Sequence, residues 1–346
     1  MWTGGYTVQV KLSILDQSPV HGAETGPEAL QHTIELATKA EAWGYHRFWV
    51  SEHHGSNRVM GSSPEVLISH LLAKTTRIRV GSGGVMLQHY SPYKVAENFN
   101  VLASLAPGRV DLGIGRGPGG LPRSTRALQQ DTSHGQRQLA DKLVELEQFL
   151  YDRLDEGHPL YGLQANPVPA QPAELFLLGT SSSSAELAAS LGMTYVFAQF
   201  LNGDDRMMSE AVATYRSRFQ AVRRVQPHTM LALAVMAADT DEEAQRYAAD
   251  HKVVKIRLAS GRTVTVLSLE AAEEFGRQAR EEFTVTVQDA SIIHGSRHTV
   301  QQKLHDLQQL YQVDELILVT AIRDFPKRLH SYELLRDIFT PEATVS

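Results

Sequence analysis

Along this chain, short apolar runs rich in β-branched residues alternate with longer segments whose apolar positions recur at helical spacing. "VQVKLSIL" (8–15) is followed by "PEALQHTIELATKAEAWG" (27–44), in which Leu30, Ile34, Ala37 and Ala40/Glu41 trace one helical face. The alternation continues through "RFWVSE", "SPEVLISHLLAKT", "RIRVGSGGVML", "YKVAENFNVLASLAPG" and "RVDLGIGRG", with Gly44 and Pro107-Gly108 stopping helices just before strands. It resumes with "ELFLLGT", "SSAELAASLG", "TYVFAQF", "DDRMMSEAVATYRSRFQAV", "TMLALAVMAA", a helical stretch from about Asp241, and finally "DELILVT". Eight strand candidates, each associated with a helix, predict parallel strands joined by right-handed crossovers. The fold class expected is α/β, a (β/α)8 barrel in one domain spanning the chain. The segment 259–290 breaks the rhythm and reads as an insertion before the last helix and strand, over the active end.

Composition narrows what such a barrel does. With 42% hydrophobic and 21% charged residues the chain can bury a sizeable core. The net charge of −6 comes from 39 acidic and 33 basic residues that are interspersed, leaving no basic stripe for nucleic acid. No run of about 18 apolar residues occurs, and the start "MWTGGYTVQVKLSIL" has no signal-peptide pattern, so no membrane partner and a cytoplasmic location are expected. There is no cysteine, which rules out thiolate catalysis and thiolate-bound metals.

In a barrel of this type, chemistry sits at the carboxyl ends of the strands. Four such sites are conspicuous. "SEHH" delivers Glu52, His53 and His54 after the second strand. Successive side chains on an extended segment face opposite ways, so one histidine enters the pocket and no metal site is expected. His53 can serve as a general acid or base near its usual pKa with Glu52 orienting it, or both histidines can be surface loop residues. "GSGGVML" places glycines in a strand, marking a bulge or a close approach. "GIGRGPGG" has the spacing of a dinucleotide fingerprint, but "LPRSTRAL" does not open a helix immediately, so Arg116 is its useful residue, suited to a phosphate or carboxylate or to a structural salt bridge. "LGTSSSS" puts hydroxyls at a helix start, where an anion is favoured; serines are also ordinary caps, with Glu186 as capping partner.

Together, "AEAWGYHRFWVSEHHGS", "IRVGSGGVMLQHYSPYKVAENFNVLASLAPGRVDLGIGRG", "LGTSSSSAELAASLGM" and "HGSRHTVQQKLHDLQQLYQVDELILVT" resemble the bacterial luciferase-like flavin monooxygenases, in the alkanal-monooxygenase-like branch. The resemblance implies a TIM barrel that binds FMN, as FMNH2 from a separate flavin reductase. It implies reaction with O2 through a flavin hydroperoxide to oxidise a small-molecule substrate. Carried over by position, His53 matches the catalytic histidine, and Arg116 with Ser181 and Ser184 the phosphate ligands. Gly83-Gly84 matches a cis peptide beneath the flavin ring; Glu52, Gln88 and Thr180 complete the cofactor contacts. Gln88 stands where many relatives carry proline, and Gly115 where the luciferases carry cysteine, so light emission is not implied. A homodimer is expected. The same superfamily offers two alternatives, a deazaflavin-dependent oxidoreductase and a non-catalytic flavin-binding protein.

Overall fold

The computed structural model describes residues 10–130 and 137–339, apart from 262, 267 and 280. Seven barrel strands come first: β1 (Lys11–Asp16), β2 (Arg47–Val50), β3 (Arg79–Val85), β4 (Val110–Ile114), β5 (Glu174–Gly179), β6 (Thr194–Ala198) and β7 (Thr229–Ala238). An excursion then carries β8 (Lys252–Leu258), β9 (Thr263–Val266) and β10 (Phe283–Asp289). The chain returns through β11 (Ile293–Ser296) and ends the barrel with β12 (Glu315–Val319). β12 pairs in parallel with both β1 and β7, and β6 with β7, so β1 to β7 and β12 close into an eight-stranded parallel barrel. The (β/α)8 architecture expected from the sequence is the observed one.

Both faces of these strands are covered, which is why they read as continuous apolar runs rather than alternating ones. Leu15, Trp49, Phe176, Leu178, Val196, Met230, Ala232, Ile317 and Val319 fill the barrel interior. A larger apolar layer packs between the strands and the outer helices. The amino-terminal ends of the strands are held by buried charge. Arg47 bonds Asp111 and Glu315 at 2.9 Å each, and the Trp49 indole N–H donates to Asp111 at 2.9 Å.

The helix Gly26–Trp43 shows how local sequence fixes an element. Thr25 and Glu28 form a reciprocal capping box, and Gly44 ends the helix at φ +83°, a left-handed conformation that glycine adopts without steric cost. Its buried stripe is Ala29, Thr33, Leu36, Ala37 and Ala40. Of the face expected from the sequence, Ala37 and Ala40 lie in that stripe while Leu30 and Ile34 flank it half-buried, and the Thr33 hydroxyl turns inward to donate to Asp16 at 2.6 Å.

The excursion is a small three-stranded antiparallel sheet, in order β10-β8-β9, with its own apolar cluster under the helix Leu269–Gln278. The sequence places its start at about 259; the sheet takes in Lys252–Leu258 as well. It lies against the carboxyl-end loops: Gln278 Oε1 accepts from the Arg123 N–H at 2.8 Å, and Leu121 packs on its cluster.

Candidate active site

The loops that follow β2, β3, β4 and β5 are tied to one another by hydrogen bonds. The His54 N–H donates to Gly119 O at 2.7 Å. Gln88 Nε2 donates to Gly117 O at 2.7 Å, and His89 Nε2 lies 2.8 Å from Pro118 O. Arg116 Nη1 in turn donates to the Ser183 hydroxyl at 2.9 Å. The four segments singled out in the sequence thus share one rim of the barrel mouth.

The glycines make this closeness geometrically feasible. A Cβ on Gly120 would lie 2.5 Å from His54 O, and one on Gly84 2.6 Å from Gly113 O; both obstacles are backbone and cannot swing away. Of the G-x-G-x-x-G glycines after β4, Gly120 serves loop packing while Gly117 stands in open space, and the next helix starts only at Pro122, after Leu121. In β3 the neighbour that demands glycine at 81 and 84 is β4, whereas a Cβ on Gly83 would meet Leu15 and Trp49 in the barrel interior, and the register shifts between Gly83 and Val85. The Gly83–Gly84 peptide is cis.

Alternation along the strand end separates the two histidines. Glu52 is wholly buried and its carboxylate is fully engaged by protein. Oε1 accepts from the Tyr90 hydroxyl and lies 2.7 Å from His54 Nε2, while Oε2 accepts from the Met86 N–H at 2.9 Å. Burial, reinforced by Glu52, raises the Tyr90 pKa above the usual tyrosine range, so the phenol keeps its proton. Glu52 therefore orients His54 and not His53, contrary to the sequence expectation. His53 is half-buried; its Nδ1 sits 3.0 Å from the Ser51 hydroxyl and its N–H donates to Gly61 O. Among the described residues nothing holds its Nε2. Burial pushes this imidazole down to about 4, so at neutral pH it is uncharged rather than poised near its ordinary value.

At the β5 end, helix Ser182–Ser190 is capped by Ser181, whose partner in the capping box is Ser184 and not Glu186. Glu186 pairs instead with Arg218 at 2.9 Å. Ser184 is buried, its hydroxyl donating to Ser181 O at 2.6 Å and lying 3.0 Å from the Tyr195 hydroxyl. It is turned away from the rim. The hydroxyl that faces Arg116 belongs to Ser183, exposed and 3.0 Å from Ser181 Oγ. Thr180 is half-buried at the end of β5. Gln88, expected to contact a cofactor edge, is used to fasten the β4 loop.

Sequence reasoning passed over Lys142 as well. Only 2% exposed, it donates to the carbonyls of Leu87, Gln88 and Tyr90 and so fixes the turn that carries Gln88 and His89. A lone lysine in a helical pattern reads as solvated, and only the packed structure shows otherwise.

A closed parallel barrel with ionisable side chains and serine hydroxyls gathered at the carboxyl ends of its strands belongs to the class that builds enzyme active sites there. Residues 10–312 match the family model described as luciferase-like monooxygenase, and the chain belongs to that family. It is 43% identical over 328 residues to N-acetyl-S-alkylcysteine monooxygenase of Bacillus subtilis (strain 168), covering 95% of this chain and 98% of the relative. The apo-MsnO8 crystal structure superposes with a TM-score of 0.78 at 35% identity, over 96% of this chain and 98% of that one. The oxygenating constituent of 3,6-diketocamphane monooxygenase from Pseudomonas putida, in complex with FMN, shares the fold with a TM-score of 0.67 at 18% identity, over 96% of this chain and 98% of that one.

Proposed function

We propose that this protein is a monooxygenase that takes FMN in its reduced form, FMNH2, from a separate flavin reductase and uses O2 to oxidise a small organic substrate. The observation that carries the reading is the link from Arg116 to Ser183 at the start of a helix. It sets an exposed guanidinium beside hydroxyls and unsatisfied helix-end N–H groups, on the same rim as a histidine with an open ring nitrogen.

The donor set fits a flavin mononucleotide. A terminal phosphate asks for a fixed cation, hydroxyl donors and a helix N-terminus, and Arg116, Ser183, Ser181 and the Ser182–Ser190 helix supply all three. When bound, reduced flavin supplies the electrons that activate O2. The chain's own contribution is positional. His53, neutral and fixed through Nδ1 by Ser51, can hold or pass a proton at Nε2. The Glu52, Tyr90 and His54 network keeps the neighbouring wall in place, and the excursion covers one side of the mouth, limiting the access of water. The similar Bacillus relative is named for N-acetyl-S-alkylcysteine, which makes S-alkyl thioethers of that kind the first substrates to try.

The test is anaerobic titration with FMNH2, followed by measurement of O2 uptake with N-acetyl-S-methylcysteine and other small thioethers. Saturable FMNH2 binding with substrate-dependent O2 uptake is expected. Deazaflavin binding with oxygen-independent turnover would contradict the reading, as would FMN binding with no turnover of any substrate.

A further inference from the structure

On the far side of the barrel mouth from Arg116 lies a buried arginine beside an unpartnered histidine, a pair that the flavin reading leaves unused. β12 and β4 are four strands apart in the closed ring, so the loops that follow them face each other across the mouth. Arg328 lies in the first turn of helix Phe325–Leu335, just beyond the carboxyl end of β12, and is 1% exposed. Its guanidinium sits over the Phe325 ring, 5.1 Å from the centroid, and its Nε and Nη1 are buried with no hydrogen-bond partner. His21, in the loop after β1, likewise has a buried Nε2 without a partner. A chain of contacts joins the two: the His21 N–H donates to Glu24 at 3.0 Å, Glu24 lies 3.4 Å from His32 Nδ1, and the His32 ring stacks on Phe325 at 3.8 Å.

This arrangement is unfavourable as it stands. A guanidinium cannot lose its proton to escape burial, and a buried charge with unmet donors is among the most costly features a fold can carry. The carboxylates of this region are already committed: Asp16 accepts from the Ser18 N–H at 3.0 Å and the Thr33 hydroxyl at 2.6 Å, and Glu24 accepts from the His21 N–H at 3.0 Å and lies 3.4 Å from His32 Nδ1. What completes the site is an anion from outside the chain. A carboxylate oxygen can accept from either unmet guanidinium N–H, with the unpartnered His21 ring nitrogen as a further donor. We propose that Arg328 and His21 form the recognition site for a carboxylate on the substrate, which lies across the mouth from the Arg116 phosphate clamp. The enzyme's substrates are then small organic acids, held by the carboxylate on the β1/β12 side with the remainder of the molecule extending towards His53. This deepens the proposed monooxygenase reading and rests on it for calling the bound acid a substrate.

The test is calorimetric titration of the full chain with N-acetyl-S-methylcysteine and with its primary amide, alongside FMN. Wild type should bind the acid roughly tenfold or more tighter than the amide, the range of one charge-assisted hydrogen-bonded contact. Arg328→Gln should lose that preference and His21→Gln should weaken it, while FMN affinity stays unchanged in both. If Arg328→Gln does not fold, the acid and amide comparison in wild type and in His21→Gln still decides. Equal binding of acid and amide, no binding of the acid, or a preference that survives in Arg328→Gln would overturn the assignment. So would parallel loss of FMN affinity, which would give the pair to the cofactor. If wild type ignores FMN yet keeps its preference for the acid, the flavin reading fails and the carboxylate site stands.

Discussion

Glu52 Oε1 lies 2.7 Å from His54 Nε2, and that one contact divides the labour between two adjacent histidines. His54 is spent on structure, clamped between a buried carboxylate and the β4 loop, while His53 keeps a ring nitrogen open. Removing the carboxylate should therefore damage the scaffold. Glu52→Ala leaves the Tyr90 hydroxyl, His54 and the Met86 N–H without their acceptor, and a loss of about 2–4 kcal/mol is expected. Urea unfolding at constant slope would show it. Glu52→Gln retains one acceptor oxygen and should lose less.

The phosphate clamp is testable by charge. Arg116→Ala should weaken FMN binding by roughly tenfold and flatten its dependence on ionic strength, since a charge-assisted contact is removed. Ser183→Ala should weaken it less and Ser184→Ala should act on stability, because the Ser184 hydroxyl serves Ser181 O and Tyr195. Equal FMN affinity in Arg116→Ala, measured by flavin fluorescence quenching, would remove the clamp from the account.

Close packing between β3 and β4 predicts a contrast between two glycines. At Gly84 an added Cβ meets Gly113 O at 2.6 Å and Gly115 N at 2.9 Å, whereas at Gly117 it meets nothing within 4 Å. Gly84→Ala should cost about 1–3 kcal/mol or prevent folding, and Gly117→Ala should stay within about 0.5 kcal/mol of wild type. Thermal or urea denaturation of the two variants side by side checks this.

Acid stability follows from the buried imidazoles. The values of His53 and His46 are lowered to about 4, and those of His21, His89 and His251 are lowered too, all chiefly by burial. With the folded value below the unfolded value of about 6.5, the unfolded chain takes up protons first as the pH falls. Their contribution is complete above pH about 6.5 and is lost progressively as the pH drops towards 4. His53→Asn should flatten the stability profile in that window by on the order of 2 kcal/mol. An unfolding free energy that stays level between pH 7 and 4 would contradict the burial.

Much of this was legible in the sequence, and the reasons for the rest are physical. All eight barrel strands show as apolar runs because both faces of a parallel sheet are covered, and Gly44 marks its helix end because only a left-handed residue fits there. The convergence of "SEHH", "LQH", "GRGPGG" and "SSSS" on one rim follows from strand-end placement alone. What pattern cannot show is which way a polar side chain turns. Four consecutive serines look alike, yet the spacing of the capping box consumes Ser181 and Ser184 and leaves Ser183 to meet Arg116. The roles of Glu52 and Lys142 rest in part on partners far along the chain, Met86 and Leu87, and that of Arg328 on donors left without a hydrogen-bond partner.

The most direct test of the central claim is a rapid-mixing experiment. Wild type and His53→Ala are each loaded anaerobically with FMNH2 and mixed with oxygenated buffer, with and without N-acetyl-S-methylcysteine, while flavin absorbance is followed. Both should bind FMNH2 and oxidise it more slowly than it oxidises free in solution. Only wild type should convert the thioether to oxygenated product. Turnover undiminished in His53→Ala, or reoxidation in wild type at the rate of free flavin, would contradict the account.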